Sequence, residues 1–285
     1  MPETADPDSL AALRREIDDI DAGMHRLLIR RGEIIDRLIA VKRTRQEGGA
    51  FRPAREAEMM RRLAARHKGP LPLDTVESIW RVIISTFTYL QAPYGVHADV
   101  AAGDAAMRDS ARFHFGFTAP FVPQPDAGAV VSAVAASEGD LGIVPVAAPG
   151  AWWTALRAAA GPKIIARLPF VERAGHPAAT PVFVVAKAVD RDAAAEDVRM
   201  LALDVAGWSG ETEARLAELG GSVSGRHMSA EGAGAVLLSL PGSVDEARLR
   251  EAVAASGARI AGLDFVGSHA ARTVLAGPSE TERTP

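Results

Sequence analysis

The sequence predicts a multidomain chain: an all-α region, then an α/β region, then a smaller α+β region. Three observations predict it. Apolar residues from Leu10 to Val41 recur at alternating steps of three and four, over a stretch far longer than an ordinary globular helix. After Pro93 the texture changes to Ala, Gly and short β-prone runs separated by helical stretches. From residue 198 the order becomes strand, helix, strand, strand, helix, strand.

The first helix carries its stripe on Leu10, Leu13, Ile17, Ile20, Met24 and Leu27, then Ile34, Leu38 and Val41. This is a heptad seam of about ten turns, roughly 55–60 Å long. Asp8 or Ser9 can cap its start and Gly48-Gly49 can end it. A helix of this length cannot bury its stripe alone and needs partner helices. Pro53 opens a second helix through about His67, with Met59, Met60 and Leu63 as its apolar face. A third runs from an Asp74 cap to Gln91, with Val76, Ile79, Trp80, Ile83, Phe87 and Leu90 as its face. Pro93 closes this region.

One position in the seam is not apolar. Arg31 stands where the next apolar residue belongs, flanked by Leu27, Leu28, Ile34 and Ile35, and Lys42 lies beside the same stripe. The two are about 16 Å apart on one face, so heads leaning together leave room for one small anion. Both side chains can instead snorkel to water, or an internal Asp or Glu can satisfy Arg31. Arg14 lies roughly 42 Å from Lys42 along the same helix. It can serve the same pocket only from an antiparallel second chain.

In the α/β region, residues 96–103 predict a strand, 103–114 a helix, 117–123 a strand, 127–138 a helix, 140–146 a strand and 180–188 a strand, with DRDAAAED beyond it as a linker. The last region, βαββαβ over about 198–267, has the ferredoxin-like order. Residues 271–285 read as a disordered tail. Expected boundaries are therefore 1–92, 93–196, 197–270 and 271–285.

Composition narrows the function. The chain has 285 residues, 48% hydrophobic and 24% charged, ample for a core without staples. It has no cysteine and no asparagine, which removes disulfides, thiolate metal sites, a Cys nucleophile, N-glycosylation and Asn-dependent catalysis. Seven histidines are scattered without metal-ligand spacing, and neither a metal nor a cofactor is expected. Residues 1–92 hold 16 Lys/Arg against 14 Asp/Glu, and residues 93–285 hold 16 against 22. Neither balance suits nucleic acid. The acidic start and the lack of a long apolar run predict a cytoplasmic protein with no membrane partner. Gly220-Gly-Ser-Val-Ser-Gly225 reads as a turn, Trp152-Trp153 as packing, and Arg61, Arg62 and Arg66 as a solvated face.

The segments LRREIDDIDAGMHRLLIRRGEIIDRLIAVK, FRPARE and IISTFTYLQ resemble the all-helical AroQ type of chorismate mutase over about residues 8–92. The resemblance implies an intertwined homodimer acting on chorismate to give prephenate. It makes Arg14 from the partner chain and Arg31 the clamps on the two substrate carboxylates. Lys42 and Gln91 match the pair that bonds the ether oxygen. Arg55 and Glu56 match an Arg-Glu pair whose glutamate holds the substrate hydroxyl. Phe87 stands where the family often has a small hydroxyl residue, and Arg52-Pro53 replaces an acidic position. The reaction is an intramolecular rearrangement, so the site needs orientation and fixed donors rather than a nucleophile or metal.

Residues 97–188 look like a shortened prephenate dehydratase, and 198–267 resemble an ACT regulatory domain. Where the dehydratase family has Glu-Asn-Ser the chain reads AAPG, and where it has Thr-Arg-Phe the chain reads Thr180-Pro181-Val182-Phe183. The resemblance therefore implies a non-catalytic relic. Ala206-Gly207-Trp208-Ser209 takes the place of the Gly-Ala-Leu effector loop, so an aromatic amino acid remains a candidate effector. Three functions stand open: an active mutase with an inert extension, an intact mutase–dehydratase, and a non-enzymatic dimeric regulatory module.

Overall fold

The computed structural model describes residues 9–45, 51–178, 180–187 and 195–274, with the backbone alone for residues 42–45. The chain divides between Glu47 and Gly48 into two compact units. The described part of the first holds one helix, α1 (Leu10–Arg45), of 36 residues. Ser9 caps it: the Ala12 amide donates to the Ser9 hydroxyl at 3.3 Å. The Gly48-Gly49 stop lies outside the described residues. Every seam residue is exposed, from 37% at Leu38 to 66% at Leu27, and Arg31 is half-buried.

The second unit begins with α2 (Pro53–Arg66), which has proline in its first turn, and α3 (Leu73–Gln91). Strand β1 (Val96–Asp99), α4 (Asp104–Phe115), β2 (Phe121–Gln124), α5 (Ala127–Ala136) and β3 (Leu141–Pro145) follow. Next come a short 3-10 helix (Trp152–Arg157), β4 (Lys163–Leu168), β5 (Val171–Glu172) and β6 (Val182–Ala186). The last part holds β7 (Val198–Ala206), α6 (Gly210–Glu218), β8 (Ser222–Met228), β9 (Gly234–Pro241), α7 (Glu246–Ala255), β10 (Arg259–His269) and β11 (Thr273–Val274). Local chemistry sets the helix starts. Asp126 accepts from the Ala129 amide and Asp245 from the Arg248 amide, both at 2.8 Å, and Ser209 with Thr212 forms a capping box.

Among the described residues, nine strands join in one sheet, in the order β2-β1-β3-β6-β4-β10-β7-β9-β8. Strands β2, β1 and β3 run parallel, as crossover helices require. The β10-β7-β9-β8 half is antiparallel throughout, in the order a βαββαβ chain takes. Both faces are covered. Val182, Val184 and Ala186 of β6 face the core built with α2, α3 and α4, while Phe183 and Val185 face α5 and the two tryptophans. Leu201, Leu203 and Val205 of β7 pack with Leu216 of α6 and Leu249 of α7. Period-two alternation on a sheet buried on both faces explains why β6 reads as a continuous apolar run.

The two halves of the sheet meet where Gly267 of β10 pairs with Ile164 of β4. Gly267 has φ +139, and a Cβ there would run into the Ile164 backbone. Only glycine supplies both the conformation and the space. Gly267→Ala is expected to cost about 3 kcal/mol or more, read as a lower urea midpoint. Trp153 is fully buried and lies against Gly225 of β8, so the tryptophan pair is packing, as its sequence reading holds.

Four differences from the sequence reading have physical causes. The compact unit takes in α2 and α3, which pack on the α/β layer, whereas the sequence grouped them with α1. One sheet crosses residue 196, because the βαββαβ half finds its neighbour in β4. The 3-10 helix, β4, β5 and β11 have no strong periodic signal, and β11 pairs with β5 inside what reads as the tail. The DRDAAAED linker falls mostly, and residues 275–285 wholly, outside the described residues.

The fourth difference concerns α3. It starts after Pro72 rather than at an Asp74 cap. It buries Asp74, Glu77, Arg81, Ile84, Ser85 and Thr88, while Ile79 is 44% and Leu90 58% exposed. Two stripes at helical spacing coexist on this helix. The polar one turns inward because its groups find partners there.

Candidate active site

The residues predicted to hold substrate fall in both units. Arg14, Arg31 and Lys42 lie on α1: Arg14 is exposed, Arg31 half-buried, and Lys42 stands where the backbone alone is described. Arg55, Glu56, Phe87 and Gln91 belong to the second unit. Arg55 faces solvent from the first turn of α2, and Phe87 is half-buried. The Gln91 amide bends back along α3 and donates to the Phe87 carbonyl at 2.9 Å. This joins two of the predicted positions, although through a backbone atom.

Glu56 departs from its sequence reading. It is 6% exposed, and one oxygen of its carboxylate is ion-paired to the Arg81 guanidinium of α3, a partner the sequence reading did not assign. Burial is the cause: a guanidinium at 0% exposure requires an anion, and Glu56 supplies it. Arg81 also donates from Nε to the His114 carbonyl, at 3.1 Å, in the last turn of α4. That helix end carries partial negative charge. The rings of Phe115 and Phe170 flank the guanidinium at 5.9 and 5.5 Å.

Around this pair lies a buried polar cluster that the sequence reading missed. His176 Nε2 stands 3.4 Å from Glu77 Oε2, and Arg173 donates to Asp74 at 2.8 Å. These contacts tie the segment after β5 to α3. Arg81 Nη2, Glu77 Oε1, Tyr94 Oη and both ring nitrogens of His114 are buried without hydrogen-bond partners among the described residues. A buried group of this kind costs about 1–3 kcal/mol wherever it stays unpaired. The available signal was Arg81 itself, a permanent cation inside the apolar run IWRVII, the same anomaly that singles out Arg31.

Burial also drives two histidines, His114 and His269, toward the neutral form. It holds His114 well below the ordinary range, with Arg81 adding to the effect. His269, 2% exposed, is lowered to about 4, first by burial and further by Arg167, against the opposing pull of the Ala270 carbonyl and Asp197. In the unfolded chain these rings bind protons near pH 6.5, so the unfolded state takes up more protons below that pH. The stability they contribute is whole above about pH 6.5 and drains as pH falls toward 4. His269 alone is expected to account for up to about 3 kcal/mol. Urea unfolding at pH 7, 5 and 4 checks this, and His269→Gln is expected to flatten the fall.

Elsewhere, a cleft of about 370 Å³ opens on the βαββαβ half, lined by Trp208, Ser209, Glu213, Arg226 and Met228 among others. Glu213 accepts from Trp208 Nε1 at 3.1 Å and from Arg226 at 3.0 Å. The AAPG segment follows β3, and Ser110 Oγ donates to the Thr180 carbonyl at 3.0 Å just before β6. Among the described residues, no group of three or more histidine, aspartate or glutamate side chains could hold a metal ion. No helix among them is long and apolar enough to cross a membrane.

Comparison with known proteins assigns the helical part. Residues 13–92 match the family model for chorismate mutase type II. The N-terminal part is a chorismate mutase type II domain. The match takes in almost all of α1 and the whole of α2 and α3, and it includes every predicted substrate-holding residue. A bifunctional chorismate mutase/prephenate dehydratase of Pseudomonas aeruginosa is 33% identical over 146 residues, 50% of this chain and 40% of that protein. An alignment of that length must run beyond residue 92, so the region after the mutase domain is prephenate dehydratase-like in sequence. The chain thus spans about two fifths of the length of the curated relatives it matches. Two solved structures have looser likeness, too loose to argue from. A protein described as a novel type of quorum quenching acylase has a TM-score of 0.40 at 14% identity, covering 67% of this chain and 98% of its own. A prephenate dehydratase from Streptococcus mutans has a TM-score of 0.37 at 12% identity, covering 64% of this chain and 100% of its own.

Proposed function

We propose that the protein is a chorismate mutase that rearranges chorismate to prephenate, with no dehydratase activity of its own. The observation that carries the reading is the family match over residues 13–92, which contains Arg14, Arg31, Lys42, Arg55, Glu56 and Gln91 in one segment. In this reading Arg14 and Arg31 hold the two carboxylates in the compact reactive shape. Lys42 and Gln91 donate to the oxygen on which charge develops as the C–O bond breaks. Gln91 leaves its bond to the Phe87 carbonyl to do so. Phe87 adds an apolar wall and Arg55 borders the opening. No proton transfer, metal or cofactor enters the step.

The functional unit is a homodimer in which Arg14 crosses to the partner's site. Support comes from the nine exposed apolar residues of the α1 seam, a larger stripe than a lone helix leaves in water. The protein acts in the cytoplasm, on the way to aromatic amino acids. The cleft beside Trp208 is the candidate site for an aromatic amino-acid effector, since its loop follows the first strand of the ACT-like half.

A second reading is favoured by the relatives, whose names carry both activities. Against it stand AAPG and Thr180-Pro181-Val182-Phe183 in place of the dehydratase motifs. One experiment separates the readings. The purified chain is given chorismate, then prephenate at neutral pH, with and without phenylalanine or tyrosine. Loss of chorismate without formation of phenylpyruvate is the expected result. Phenylpyruvate formation at neutral pH would establish the bifunctional reading, and inert chorismate would leave only a non-enzymatic module.

A further inference from the structure

We propose that Arg81 is a positioning residue for the mutase reaction, holding the Glu56 carboxylate in the place from which it meets the substrate hydroxyl. The inference rests on the mutase reading, and it adds a residue that the family pattern of substrate contacts does not include. Its basis is the geometry of one guanidinium. Arg81 is fully buried, and two of its three guanidinium nitrogens are held by different partners. Nε is fixed to the His114 carbonyl in the last turn of α4, the guanidinium carbon lies over the rings of Phe115 and Phe170, and Nη1 reaches across to Glu56 on α2.

A carboxylate so held has lost most of its rotational freedom before substrate arrives, and lost freedom of this kind is what orientation contributes to rate. One oxygen of Glu56 is engaged by Arg81, and no other hydrogen bond competes for the second among the described residues. A carboxylate has two oxygens and several acceptor directions, so it can hold Arg81 and accept from a hydroxyl together. The link also connects the mutase domain to the α/β layer, because the atom that fixes Arg81 belongs to α4. A shift of α4 would therefore move Glu56. A plain structural ion pair predicts something different: its loss lowers stability, while kcat/KM per folded molecule stays near the wild-type value in either Glu56 background.

The test is a double-mutant cycle on the full chain, read as kcat/KM for chorismate. Arg81→Met is expected to lower kcat/KM by about 10- to 100-fold on its own. In the Glu56→Gln background the same change is expected to cost less than about 3-fold, since no carboxylate remains to position. Arg81→Lys keeps a cation but not the forked geometry, and its loss is expected to be smaller and likewise confined to the native Glu56 background. Circular dichroism verifies folding, and the Arg81→Lys comparison decides the matter if Arg81→Met does not fold. Equal factors in both backgrounds overturn the proposal while leaving the mutase reading intact. A wild-type chain that leaves chorismate unchanged removes the reading itself, and the proposal with it.

Discussion

Lys42→Ala is expected to lower kcat for chorismate by about 10²–10³-fold while leaving the protein folded. The rearrangement has no acid, base or nucleophile to lose, so a donor aimed at the ether oxygen acts almost wholly on the transition state. Its removal should therefore appear in kcat more than in KM. Arg31→Ala makes the contrast. Its guanidinium is assigned to a carboxylate present in substrate and transition state alike, so KM should rise with it. The measurement is the initial rate of chorismate loss over a range of concentrations. A Lys42→Ala protein retaining its rate within a factor of about three would remove the assigned role, because a donor on a developing oxyanion is never that weak.

Mixing two inactive variants is expected to restore activity. Arg14 lies roughly 42 Å along α1 from Lys42, too far for one small substrate to touch both on the same helix. If Arg14 serves the partner's site, Arg14→Ala and Lys42→Ala damage complementary halves of each pocket. Alone, each variant loses both sites of its dimer. Unfolded together and refolded as a mixture, half of the dimers are hybrids, and each hybrid has one site with both defects and one intact. About a quarter of the wild-type rate is the expected recovery for random pairing. A mixture no more active than its components would show that the site is built within one chain.

The mutase segment was legible because its signals are local and repeated. A seam from Leu10 to Val41 states a helix many times over, and Arg31 interrupts it at one position. The elements after Pro93 were legible wherever alternation or turn chemistry was strong, as in β6, β7, α6 and α7. Strand β4 was missed although Gly161-Pro162 marks a turn just before it, because Lys163 and Arg167 break up the apolar pattern of KIIARL. The inward face of α3 was missed for a different reason. Hydrophobic periodicity ranks Ile79 and Leu90 above Glu77 and Arg81, and it is right unless buried polar groups find one another. Here Glu56, His176 and the His114 carbonyl do that work, each far from α3 in sequence.

By itself, then, the order of residues determined the helical segment and the pattern of strands and helices behind it, both of which follow from spacing along one chain. It also carried the motifs whose resemblance to a family implies which residues hold substrate. Tertiary structure alone decided that one sheet runs through both later regions, joined at Gly267, and that Glu56 pairs with Arg81. Those outcomes depend on which distant groups come within a few ångströms of each other. A buried charge takes its partner from space rather than from sequence, so no reading along the chain can assign it.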